Sequence, residues 1–419
     1  NPKHMNPCRA GQSTLWGDTM KTPVHINNVA VLASCQALYN SGRTLTFLSA
    51  VLSGANMLGD DQRLATLPIT MMIIGMASGT IPAAQLMHKV GRKLGFFLGS
   101  MIGTIGSFIC VVGLLVDNFF MFNVGMFVYG LYSAAAQQYR FAATDVAPEN
   151  FKAKAISLVI AAGVVGAFVG PWTTGLTKDL LIGAEFAGAF CALSVFTLAS
   201  GLIILWVDIP LKAEQKGSDT GRPLLLILTQ PVALVAIISA TFSYVIMNLL
   251  MVATPLAMRI GYQHLFFDTQ LVLMLHVVGM FAPGFFTGNL INRFGTINII
   301  LAGTMLQLIA ICVALSGTGV NFFWVSLLLL GIGWNFSFTA GTRLLTQVHT
   351  PAEQGKVQGT NDFIVFTGMA ISSIFSGTLY HFLGWQWVNM AAIPMALLII
   401  ASAVWLFFIK REKTPSTIT

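Results

Sequence analysis

The chain has 419 residues, 55% of them hydrophobic and only 9% charged, against about a quarter charged in a soluble domain. With a mean hydropathy of +0.77, that surface is tolerated only by lipid, which excludes a soluble globular protein, a disordered chain and a disulfide scaffold and leaves a polytopic membrane protein. The net charge of +7 does not imply a nucleic-acid partner, because membrane proteins hold Lys and Arg on cytoplasmic loops for topological reasons.

Apolar runs separated by charges and turn residues predict twelve helices, centred near residues 40, 76, 105, 132, 165, 195, 241, 280, 306, 333, 366 and 397. They fall into a tail at 1–23, a six-helix bundle at 24–207, a polar linker at 208–222, a second six-helix bundle at 223–409 and a tail at 410–419. Residues 1–4 read as a cloning remnant, with Met5 or Met20 as the native start and no signal peptide. Of the 22 Lys and Arg, Arg63, Lys178 and Arg259 fall opposite the termini, Arg43, Arg140 and Arg343 fall within spans, and the rest lie with the termini. Both termini are therefore expected in the cytoplasm. Cys8 lies in the first tail, and Cys35, Cys110, Cys191 and Cys312 each lie inside an apolar run with no CxxC pair. They are expected to be buried hydrophobes, holding neither metal nor disulfide.

Charge at membrane depth is costly enough to mark function by default. In the first span Gln36, Asn40 and Arg43 share one face with Phe47, so this face is expected to line a cavity in which the guanidinium binds carboxylate or phosphate. A structural ion pair or a snorkelling side chain is the competing reading. In the fourth span Arg140 follows Ser133 and Gln137, and in the tenth Arg343 follows Asn335 and Thr339. Each arginine stands eight residues before a proline, Pro148 or Pro351. They read as a pseudosymmetric basic pair at the cytoplasmic part of the cavity, or as latches between the halves. Tyr244 and Asn248 of the seventh span are candidate solute contacts together with Trp334 and Asn335 of the tenth. His276 in the eighth span and Asp362 in the eleventh are candidate coupling residues, a histidine titrating near neutrality and a carboxyl able to carry a proton in an apolar setting. Asp362 as the fixed partner of Arg43 or Arg343, and His276 as a packing residue, are the alternatives.

Two landmarks repeat at nearly one interval. Arg140 with Pro148 and Arg343 with Pro351 are offset by 203 residues, and Lys89 with Gly91 and Arg293 with Gly295 by 204, which points to duplicated halves. The segment from Ala84 through His88, Lys89, Gly91, Arg92 and Lys93, and its copy from Gly288 through Asn292, Arg293 and Gly295, resemble the GxxxDRxGRK loops of the major facilitator superfamily. Gly166, Gly170, Pro171 and Gly175 in the fifth span are similar to the gxxxGPxxGG signature of its antiporter branch. The arginine of the fourth-span RxxQG signature is replaced by Met126. The resemblance implies an all-α fold of two pseudosymmetric six-helix bundles that rock around a central cavity. It also implies that these loop and fifth-span residues serve gating, with Asp145 as a contact for Arg92 or Lys93 when the carrier opens outward.

No GxxxxGK[ST] loop is present, so ATP is not expected to drive the protein. No HExxH or serine-nucleophile context points to a membrane enzyme. The expected function is secondary transport of a small anionic or zwitterionic organic solute, coupled to protons, by a monomer in a bacterial cytoplasmic membrane. Drug or metabolite efflux by proton antiport is the alternative, and a transporter-like receptor or scaffold is a third reading.

Overall fold

The computed structural model describes residues 24–148, 151–209, 221–350 and 353–412. The tail at 1–23 with Cys8 and its proposed start sites, most of the 208–222 linker, Pro351 and the end of the second tail lie outside the described residues.

The helices of the first half are α1 (Val24–Leu58), α2 (Leu67–Val90), α3 (Arg92–Leu115), α4 (Phe119–Ala136), α5 (Tyr139–Val146), α6 (Lys152–Thr177) and α7 (Ala187–Ile203). Those of the second are α8 (Leu224–Leu228), α9 (Pro231–Leu256), α10 (Phe266–Phe281), α11 (Gly284–Phe294), α12 (Thr296–Ser316), α13 (Val320–Leu345) and α14 (Gln354–Glu412). Nine stretches among the described residues are long and apolar enough to cross a bilayer, and a tenth arises when α10 and α11, bent by 43° at Pro283, count as one span. One of the nine is double, since α14 turns back at Gly384, where φ is 81°. α1 falls below the hydropathy threshold because its inner face carries Gln36, Asn40, Ser41, Arg43 and Thr44. Twelve spans result, as the apolar runs predict, with α4 and α5 together forming the fourth.

The repeat is visible in the backbone. α2 ends at Gly91 with φ 87° and ψ 154°, and α11 ends at Gly295 with φ 85° and ψ 153°. Only glycine enters that region freely, so the two GR and GT steps that close the second and eighth spans are the same turn twice. Where the linker re-enters at Arg222, its backbone N and Nε both donate to Glu353 Oε1 at 2.8 Å and its Nη2 donates to Glu353 Oε2 at 2.8 Å. The Thr350 N–H also donates to Glu353. These donors hold the Glu353 carboxyl well below the usual carboxylate range, the Arg222 guanidinium foremost. Cys35 and Cys110 are buried, Cys191 is half-buried and Cys312 is exposed. Cys312 thus departs from expectation, because its helix turns that face away from the bundle.

The halves meet through α2 on α14, α6 on α10 and α1 on α9. Three described hydrogen bonds cross between them. Thr66 Oγ1 donates to Ser373 O at 2.6 Å and Thr378 Oγ1 to Arg63 O at 3.2 Å, both on the face opposite the termini. Arg43 Nη2 donates to Tyr244 Oη at 3.2 Å, between α1 and α9.

Candidate functional site

A cavity of about 390 Å³ lies between the halves on the side of the termini. It exists because α1 brings a polar face inward at roughly 28 Å along its length and α6 lets it approach. Thr44 Oγ1 donates to Gly166 O at 2.7 Å, and a methyl group on Gly166 would sit 2.6 Å from the Asn40 backbone. The glycines at 166 and 170 therefore seat α1, while α6 continues unbroken through Pro171. Gly175 instead faces Gln270 of the opposite half.

The first half contributes Gln36, Asn40, Arg43, Gln137 and Arg140, with Ser157, Ile160 and Ala161 of α6. The second contributes Trp334, Asn335, Phe338 and Thr339 from α13, and Met280, Phe281, Gly284 and Phe285 around the α10–α11 bend. Both charges are thus on one half and all the aromatic rings on the other. Trp334 and Phe338 stack with centroids 5.1 Å apart and planes 9° from parallel. Asn335 holds the bend: its Nδ2 donates to the Met280 carbonyl at 2.7 Å and its Oδ1 accepts from Thr287 Oγ1 at 2.6 Å. It satisfies the Met280 carbonyl, which the break between α10 and α11 leaves without a helical donor.

Arg43 donates to Tyr244 and lies over the Phe47 ring at 5.6 Å. Next to it a small pocket of about 20 Å³ is lined by Arg43, Phe47, Met247, Met251, Val277 and Met280.

Several expected residues stand elsewhere. Tyr244 is behind the cavity wall, edge-on to Trp334 and Phe338 at 5.0 and 5.1 Å. Asn248 is fully buried one turn away, its Nδ2 donating to Met369 O and Ser372 Oγ, and it joins α9 to α14. His276 is buried against Leu327 O at 2.7 Å, inside the second half and away from the lining. Arg343 is exposed, which corrects the symmetric pair. The fourth span breaks at Gln137 and Gln138 before restarting as α5, which resets the phase that aims Arg140 inward, whereas α13 runs straight to Leu345. Asp362 is half-buried on the opposite side of the mouth, accepts from Asn361 Nδ2 at 3.4 Å, and feels the Arg140 charge through space.

Of the loop residues, Arg92 Nε pairs with Asp145 Oδ2 at 2.7 Å, the carboxylate only 4% exposed. The pair is formed while the cavity faces the termini, and both partners belong to the first half, so it braces that half and does not itself bolt the two together. His88, Lys89, Lys93, Asn292 and Arg293 are exposed, Arg293 lying over the Phe294 ring. Sequence reasoning missed Phe281, Phe285, Phe338 and the α6 residues. Phe338 follows Trp334 by one turn, a spacing that signals a shared face.

The family profile described as Major Facilitator Superfamily matches residues 32–283 and again 236–419. The chain is 38% identical over 379 residues to the riboflavin transporter RfnT of Brucella anthropi, covering 90% of this chain and 95% of that one. It is 26% identical over 411 residues to the uncharacterized MFS-type transporter YdeG of Bacillus subtilis, covering 94% and 95%. The crystal structure of the human organic anion transporter MFSD10 superposes with a TM-score of 0.67 at 14% identity, over 91% of this chain and all of that one. The Escherichia coli fucose:proton symporter FucP gives 0.63 at 14% identity, over 91% and 99%. With two like-turned halves, twelve spans and a cavity between them, the chain belongs to the major facilitator superfamily and is a membrane transporter of a small solute.

Proposed function

We propose that the solute is a planar heteroaromatic compound of the riboflavin type, moved by alternating access. The observation that carries this reading is the cavity's division into an amide and guanidinium wall and a wall of rings. A flat heterocycle offers faces to Trp334, Phe338, Phe281 and Phe285 and carbonyl and imine acceptors to Gln36, Asn40, Arg43 and Gln137. The 38% identity to a riboflavin transporter supports the same class. The solute brings acceptors or negative charge to the arginines, and a proton gradient drives its movement through Asp362, which stands nearer the mouth than His276. The termini are cytoplasmic, and the carrier is a monomer using no ATP. Efflux of a hydrophobic cation is the weaker reading, since among the described residues no carboxylate lines the cavity.

The test is quenching of flavin fluorescence by the purified protein, repeated with Arg43→Gln. Saturable quenching, weakened at least about tenfold in the variant, is expected from loss of a charge-assisted hydrogen bond. Absence of quenching by a cooperatively folding protein that hydrophobic cations stabilise would overturn the flavin reading.

A further inference from the structure

Among the cavity's lining residues, two buried polar atoms lack a partner, Arg140 Nε and Trp334 Nε1, and both are N–H donors. Arg43 and Arg140 are the charged lining residues, and neither has an acid within ion-pair distance among the described residues. A desolvated donor without an acceptor costs free energy, and the two unpaired guanidinium groups add a positive field to the cavity. The stacked Trp334 and Phe338 rings line the same cavity and offer a flat ring system a surface to rest on.

We infer, on the basis of the flavin reading above, that the site also takes a flavin-type ring bearing a phosphomonoester and holds it more tightly than the uncharged ring, with Arg140 receiving the phosphate. Arg140 is suited to this because it stands on α5 at the cavity mouth, where a dianion keeps part of its hydration. It also presents a planar fork already oriented over the Phe141 ring at 4.8 Å, a shape that matches phosphate oxygens in pairs. Arg43, deeper and already donating to Tyr244, meets the ring's carbonyl edge. Asp362 is the acid that bears on Arg140 from the other half. Its carboxylate competes with the phosphate for the guanidinium, so it lowers the preference without abolishing it.

The experiment compares riboflavin, flavin mononucleotide and inorganic phosphate on the full-length protein in nanodiscs, with binding read from flavin fluorescence and folding from the cooperativity of the melt. Flavin mononucleotide is expected to bind about tenfold more tightly than riboflavin, the ratio shrinking as salt is raised. Inorganic phosphate alone is expected to displace neither, because the rings contribute the remainder of the affinity. Arg140→Gln is expected to bring the ratio towards one, Asp362→Asn to raise it, and Arg43→Gln to weaken both flavins alike. Riboflavin binding equal to or tighter than flavin mononucleotide would overturn this inference and leave the flavin reading standing. Failure of both flavins to bind a protein that melts cooperatively would overturn the two together. A preference that survives Arg140→Gln and vanishes in Arg43→Gln would also sink the assignment to Arg140.

Discussion

Gly166→Ala tests whether the α1–α6 contact sets the cavity. The new methyl group would lie 2.6 Å from the Asn40 carbonyl carbon and 2.7 Å from the Ser41 nitrogen, both backbone atoms that no rotamer change can move. Restoring ordinary contact separates the two helices by about 1 Å, and overpacking of this kind costs about 1–3 kcal/mol. The same displacement stretches the 2.7 Å hydrogen bond from Thr44 to the Gly166 carbonyl, adding about 0.6 kcal/mol within a membrane. The expected total is about 2–4 kcal/mol, visible as a fall of about 2–5 °C in the detergent melt. Solute affinity is expected to fall with it, since Asn40 and Arg43 move with α1. Gly288→Ala is the control. Gly288 has open space where its methyl group would go and sits in the interior of α11, so alanine there is expected to stabilise by about 0.5–1 kcal/mol. A Gly166→Ala protein that melts with the wild type, or a Gly288→Ala protein that loses as much, would refute the close-approach reasoning.

Three further outcomes follow from the same contacts. Asp145→Asn removes the partner of Arg92 and is expected to cost about 1.5–3 kcal/mol, read by the melt, with Asp145→Glu recovering part of it. The Glu353 carboxyl is held low in the folded chain, so its contribution is complete above the ordinary glutamate value of 4.5 and is lost as pH falls below it. Glu353→Gln should therefore flatten the acid side of the stability profile, and an unchanged profile would remove Glu353 from the account. Asp362→Asn is expected to abolish solute accumulation against a proton gradient while leaving solute exchange across vesicle membranes, which a transport assay with and without the gradient separates.

Much of the architecture could be read from spacing alone. Lys89 with Gly91 and Arg293 with Gly295 marked the duplication, and the backbone angles at the two glycines agree within a few degrees. The inward face of α1 was equally plain, because a polar stripe in an apolar helix has only one low-energy direction to face. The tenth span was harder. Arg343 and Arg140 look equivalent in sequence, yet a two-residue break at Gln137 and Gln138 rotates one inward while the other stays exposed. Periodicity gives a helix's faces but not its phase relative to its neighbours, so it does not show that Tyr244 and Asn248, one turn apart on α9, lie behind the lining. The aromatic wall escaped notice for a related reason. Among 31 phenylalanines, those that pack against lipid and those that pack against a solute carry the same signal.

The separation of charge and rings between the halves makes the solute a mechanical part of the carrier. A molecule touching only the guanidinium wall, or only the rings, has equal affinity for the open and closed arrangements and shifts neither. On the proposed flavin reading, a flat ring with an acceptor edge gains contacts from both walls as they approach, so its own binding free energy draws the halves together. Compounds that satisfy one wall and are too bulky for the other would occupy the cavity and arrest the cycle, which gives a rule for designing inhibitors of this carrier.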